Sequence, residues 1–149
     1  MSGRNTSIKC LFGLYCLMML WLLLLRRIEI EPGDVGVNLQ PLDTVRRYIW
    51  VLRYSSSRPQ LRYACANLIG NVALFLPLGL FLPVLFQRMH CFGLFFLCIA
   101  FGILAVELCQ LYTGLGACDV DDWLLNVIGT VLGWLLWKLW TIYSRKKTE

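Results

Sequence analysis

The sequence predicts an all-α, polytopic membrane protein with four transmembrane helices and a short interfacial helix in the first loop. Three observations carry this expectation. The chain of 149 residues is 58% hydrophobic, with a mean hydropathy of +0.65, above the ~45–50% apolar usage of soluble domains. Its apolar residues gather into four runs, 10–25, 68–86, 91–112 and 123–143. Charge is nearly excluded from them: only Glu107 interrupts the third and only Lys138 the fourth. Crossing the bilayer hydrocarbon takes ~17–25 helical residues. The predicted spans are therefore 9–26, 67–86, 91–113 and 122–143.

The first run is the shortest, and Lys9 and Arg26 can snorkel to lengthen it. Its basic start and apolar middle resemble a secretory signal. No small-residue cleavage pattern follows, and the run stops at Arg26–Arg27, so an uncleaved anchor is expected. Four spans place both termini on one side. The terminal side holds Arg4, Lys9, Arg88, Lys138, Arg145, Lys146 and Lys147; the other holds Arg26, Arg27, Arg46, Arg47, Arg53, Arg58 and Arg62. The positive-inside rule is tied by these counts. The basic tail SRKK, the short basic second loop and a third loop free of Lys and Arg tip the expectation towards cytoplasmic termini.

The first loop is longer than a connection between two helices requires. Its start, EIEPGDVG, reads as extended chain and turn, punctuated by Pro32–Gly33 and Gly36. Beyond Pro41, Leu42, Val45, Ile49 and Leu52 recur at helical spacing, with Arg46, Arg47 and Arg53 on other faces and Tyr48 and Trp50 beside them. That pattern fits a helix over 42–53 in the headgroup plane, with Arg46, Arg47 and Trp50 as its interfacial residues. An amphipathic helix packed on the bundle is the plainer alternative. The stretch SSSRP, 55–59, is the hinge into the second span.

Polar residues at the membrane edges carry the functional signal. Asn67 and Asn71 are four apart at the start of the second span, Glu107 and Gln110 three apart near the end of the third, and Asp122 and Asn126 four apart at the start of the fourth. Each pair shares a helix face. Chain direction sets all three pairs at one level, beside the first loop and the acidic CDVDDWLLN of 118–126. A charge at mid-bilayer costs on the order of 3 kcal/mol, so Glu107 is expected to be protonated or paired with an arginine of the first loop.

Each residue also has a plainer role. Asp121 or Asp122 can cap the fourth helix. Asn67, Asn71, Gln110 and Asn126 can serve as interhelical glue, worth ~1 kcal/mol each. Gly129 and Gly133, spaced as GxxxG, suit close helix approach. Pro77 and Pro83 flank Gly79 and suggest a kink. Of seven cysteines, Cys16, Cys98 and Cys109 lie inside apolar runs as small hydrophobes, and Cys65 and Cys118 fall on one side where a disulfide is conceivable. No CxxC or His–Cys cluster points to zinc, and no motif calls for a cofactor or nucleic acid.

Taken together these pieces resemble the VanZ-like membrane proteins over nearly the whole chain, read as one domain, 1–149. The resemblance rests on Asn38-Leu39-Gln40-Pro41, on Asn67 and Asn71 with Phe75-Leu76-Pro77-Leu78-Gly79, on Glu107 and Gln110, and on Asp119-Val120-Asp121-Asp122 with Asn126, Gly129 and Gly133. Leu42 stands where the family often has an aromatic, Ala105-Val106 where it often has Ser or Thr, and no basic residue precedes the acidic loop. The resemblance implies a multi-pass protein of a bacterial plasma membrane, with a cell-envelope role at the outer face. The founding member is associated with low-level resistance to the glycopeptide teicoplanin.

The expected site comprises Asn67, Asn71, Glu107, Gln110, Asp119, Asp122 and Asn126. Its expected partners are the lipid bilayer and either lipid-linked cell-wall material or a lipophilic glycopeptide. The alternative is a small transporter or ion-conducting subunit with Glu107 as the protonatable residue. Enzymatic activity is not expected, since no Ser/His pair or metal-ligand set accompanies the carboxylates.

Overall fold

A computed structural model describes residues 2–25, 37–113 and 118–147. Arg26, Arg27 and the turn expected at Pro32–Gly33 and Gly36 lie outside the described residues. The elements run α1 (Ser2–Leu25), β1 (Val37–Asn38), α2 (Asp43–Tyr54), α3 (Arg58–Leu85), a 3-10 turn (Gln87–His90), α4 (Phe92–Tyr112), β2 (Cys118–Asp119) and α5 (Val120–Lys146). Helices α1, α3, α4 and α5 are long and apolar enough to cross a membrane. The fold is all-α and polytopic.

Helix α3 begins at Arg58, nine residues before the predicted span at 67. Pro59 sits in its first turn, where a missing N–H costs nothing, so the helix starts at the hinge and carries two turns above the apolar run. It continues through Pro77 and Pro83. At its far end His90 Nε2 lies 2.9 Å from the Pro83 carbonyl oxygen.

The central packing is between α3 and α5, and it is made by glycine. A Cβ placed on Gly129 would run into the Val72 carbonyl, one on Gly133 into the Leu76 carbonyl, and one on Gly79 into the Thr130 carbonyl. Lipid tails are as apolar as leucine, so membrane helices associate through close packing, and small residues permit it. The GxxxG of α5 and Gly79 of α3 form one seam.

Helix α4 packs on α5 through Phe95, Ile99 and Ile103, which meet Val127 and Trp134 in a core shared with Phe75, Tyr15 and Met19. Aromatic polar atoms are satisfied by backbone carbonyls. Trp123 Nε1 donates to Ala100 O at 3.0 Å, Trp134 Nε1 to Met89 O at 2.9 Å, and the Tyr15 hydroxyl to Leu74 O at 2.8 Å. In hydrocarbon an unsatisfied donor would cost several kcal/mol, roughly. These bonds fix α4 and α1 at defined heights.

Helix α2 packs on the bundle by a face that the sequence did not single out. Its packed face is Thr44 and Tyr48, with Tyr48 set edge-on to Tyr63 of α3 at 5.9 Å between ring centroids. Leu42, Ile49 and Leu52 are exposed, together with Arg46, Arg47 and Trp50; Val45 is partly covered. The predicted apolar stripe is therefore not what holds the helix to the bundle. Acidic side chains at the start of α5 grip its first turn and turn Thr44 inward.

Candidate functional site at the membrane edge

Three carboxylates at the start of α5 reach β1, α2 and α3 between them. Asp119 is the N-cap of α5 and accepts the Asp121 amide at 2.8 Å. The same carboxylate receives Asn38 Nδ2 at 3.3 Å and the Thr44 hydroxyl at 2.7 Å, and Asn38 Nδ2 also reaches the Thr44 hydroxyl oxygen at 3.0 Å. Beneath these bonds β1 and β2 pair in parallel, Val37 opposite Cys118 and Asn38 opposite Asp119. The counter-ion that the acidic loop lacks in sequence is replaced by hydrogen bonds.

Asp121, fully buried, accepts the amides of Leu42 at 2.5 Å and Val45 at 3.0 Å. It caps α2 from another helix. Leu42 holds the N-cap position of α2 and has no side-chain oxygen to offer. Its φ of 67° is the only positive value at a non-glycine among the described residues, a conformation that costs of order 1–3 kcal/mol and persists only where surroundings enforce it. The positive end of the α2 dipole meets the Asp121 carboxylate.

Asp122 turns to α3, where Asn71 Nδ2 donates to its Oδ1 at 2.7 Å. Tyr48 lies close by. Burial pushes its hydroxyl pKa well above the ordinary range, neighbouring Tyr63 and Asp122 add to the rise, and Arg47 partly opposes it. Asn126, one turn below Asp122, is buried, and its Oδ1 has no hydrogen-bond partner among the described residues.

Glu107 is buried on α4. It faces the short sheet: the Cys118 thiol pKa is raised first by burial, then by the charges of Glu107 and Asp119. Gln110, three residues on, sends its Nε2 to the Leu23 carbonyl at 2.9 Å and so ties α4 to the last turns of α1.

The structure thus joins Asn71 with Asp122 directly and sets Asp119 and Glu107 around Cys118. It turns Gln110 towards α1 and leaves Asn126 one turn deeper. Asn67 is not drawn in by its amide, which returns to the Tyr63 carbonyl of its own helix at 2.9 Å. Cys65 and Cys118 are both free thiols. Among the described residues, no group of three or more His, Cys, Asp or Glu side chains converges to hold a metal. Chemically the site offers buried acceptors and amides at one end of an apolar bundle, which suits recognition of a hydroxyl, amine or other donor.

Sequence reasoning missed Thr44, Tyr48 and the reach of Asp121 into α2. One signal was present. A helix opening with Leu at its N-cap needs an acceptor from elsewhere, and 118–126 is the acid-rich stretch on the same side.

The VanZ/LLP1 family profile matches residues 12–141, most of the chain. The chain belongs to the VanZ/LLP1 family. No curated protein and no solved structure gives a significant match. For this VanZ/LLP1 member, the residues carrying the resemblance meet in space: Asn38 pairs with Asp119, Asn71 with Asp122, and Gly79 packs against the Gly129–Gly133 stretch.

Proposed function

We propose that this VanZ-like membrane protein is a non-catalytic component of the bacterial cell envelope. Its polar site opens on the outer face of the plasma membrane and engages lipid-linked cell-wall material or a lipophilic glycopeptide, contributing to teicoplanin-type resistance. The observation that carries this reading is the Asn71–Asp122 bond, 2.7 Å long, made between the two most tightly seamed helices with Glu107 buried on the third. Interhelical hydrogen bonds in membranes average only ~0.6 kcal/mol, while ionisable residues within spans usually mark functional sites. Stability alone is a weak reason to keep such a cluster.

The test is glycopeptide susceptibility of cells expressing the wild type, Glu107→Gln, Asp122→Asn and Asn126→Ala, with membrane abundance measured alongside. Wild-type protein is expected to lower teicoplanin susceptibility, and Asp122→Asn and Glu107→Gln to abolish the effect at unchanged abundance. Losses that track abundance would reduce the cluster to glue. Full activity in all three variants would remove the site from the function. Glu107 also supports the alternative of a small transporter, which would show as proton or ion flux in proteoliposomes, lost in Glu107→Gln.

A further inference from the structure

The bundle leaves a groove between α1, α3 and α4 with a volume of about 350 Å³, inside the ~300–1,000 Å³ range of small-molecule sites. Its walls belong to the spans and are apolar: Met19 and Leu23 of α1, Phe75 and Leu78 of α3, Ile99 and Ile103 of α4. Gly102 also lines it. The glycines of the α3–α5 seam are crowded by backbone, but a Cβ on Gly102 would meet nothing within 4 Å. This glycine leaves room instead of admitting a helix.

Water has no reason to fill such a space, because an apolar cavity offers it no partners. Hydrocarbon surrounds the spans and is the matter at hand. Beyond one end of the groove, however, lie polar residues. Ile103 lies one helical turn from Glu107, Phe75 one turn from Asn71, and the carbonyl of Leu23 is held by Gln110. The groove runs out where the polar site begins.

We infer that this groove seats one hydrocarbon chain of an amphiphile, acyl or isoprenoid, whose polar head rests at the level of Asn71, Glu107 and Gln110. For the position of the head the inference rests on the proposed polar site; the seat of the chain stands on the groove alone. A neighbouring lipid passes over the outward faces of the helices without saturation. A chain in this groove is bounded by three helices and saturates at one per protein.

The test uses the full-length protein in phosphatidylcholine nanodiscs, photolabelled with a diazirine-bearing long-chain fatty alcohol, with adducts mapped by mass spectrometry. Adducts are expected on Met19, Phe75 and Ile99, and excess unlabelled fatty alcohol or polyprenol should suppress them. The stronger competitor identifies the chain as acyl or isoprenoid. Gly102→Phe should cut labelling severalfold. It fills open space and replaces a poor helix former, so the fold is expected to hold. Gly93→Phe, on the same helix and also facing open space, should leave labelling unchanged, which controls for added bulk. Adducts spread evenly over outward residues such as Phe101 and Leu139, or labelling indifferent to both competitors and to Gly102→Phe, would overturn the inference. Labelling is read on purified protein without antibiotic, so its failure is distinct from failure of the resistance reading, which is scored by susceptibility.

Discussion

Asp121 shows how one carboxylate can organise two helices. It sits in the first turn of α5 yet spends both oxygens on the amides of Leu42 and Val45 in α2. Replacing it with alanine leaves two part-buried donors without their acceptor, at up to about 1–3 kcal/mol each where water cannot take its place, and removes the contact that holds Leu42 in its left-handed conformation. Asp121→Ala is therefore expected to lower the unfolding midpoint of the detergent-solubilised protein more than Asp122→Asn does. Equal or smaller loss would show that α2 is held by Tyr48 packing alone. Cys118 gives a second measurement at this scale. Its thiol pKa is raised by burial and by Glu107 and Asp119, so the reactive thiolate is scarcer at a given pH than on a free cysteine. Removing the Glu107 charge lowers that pKa and enlarges the thiolate fraction. With the other cysteines replaced by serine, Glu107→Gln should shift the pH profile of Cys118 alkylation to lower pH; an unmoved profile would mean that Glu107 carries no charge there. The crowding of acids at 119–122 was legible in sequence. Which oxygen serves which helix was not, because an N-cap residue and two neighbours in the first turn point in three directions and the partners come from segments about 50 to 80 residues away.

At the scale of elements, the four spanning helices were readable because apolar run length is a one-dimensional quantity. Their ends were less so. Helix α3 begins nine residues before its predicted span because Pro59 starts it at the hinge, and α5 continues to Lys146 beyond the predicted 143. Helix α2 was legible as an amphipathic helix, but the residues by which it packs on the bundle were not. Periodicity of Leu42, Val45, Ile49 and Leu52 marks an apolar stripe, and hydrogen bonds to Asp119 and Asp121 select Thr44 and Tyr48 for the side facing the bundle. The stripe is left outward with Trp50 and the arginines, an arrangement that fits the headgroup region, where a basic residue near an anionic surface is worth about 1 kcal/mol. A synthetic peptide covering 42–53 should bind anionic vesicles. Replacing Arg46 and Arg47 with Gln should weaken that binding by roughly ten- to thirtyfold at low salt and blunt its salt dependence. Unchanged affinity would make α2 a helix that merely packs on the bundle.

For the whole molecule, chain direction does what local pattern cannot. An antiparallel bundle returns the starts of α3 and α5 and the end of α4 to one face, so polar pairs far apart in sequence meet there, as the bonds from Asn71 to Asp122 and from Asn38 to Asp119 show. The groove beside α1 was not legible, since it depends on where side chains leave space and not on which are apolar. Orientation is set by charge, and the basic residues divide seven to seven between the sides, so the asymmetry must come from position. Positive charge acts most strongly close to a span. Arg145, Lys146 and Lys147 directly follow the last apolar turn, Arg88 occupies the tight connection between α3 and α4, and the connection before α5 has no Lys or Arg. On the opposite side, Arg26, Arg27, Arg58 and Arg62 also lie beside spans, but Arg46, Arg47 and Arg53 belong to α2, where they have headgroups and the rings of Tyr48 and Tyr54 to engage: Arg47 lies 5.8 Å from the centre of the first ring and Arg53 5.6 Å from that of the second. Arginines committed to a folded interfacial helix weigh less in topology than bare charges beside a span. Both termini are accordingly expected in the cytoplasm. An alkaline phosphatase reporter fused after Glu149 should be inactive and one inserted in the loop before Cys118 active, with a fluorescent reporter giving the reverse. The opposite pattern would turn the Asn71–Asp122 site to the cytoplasm and end any direct role for it at the outer face.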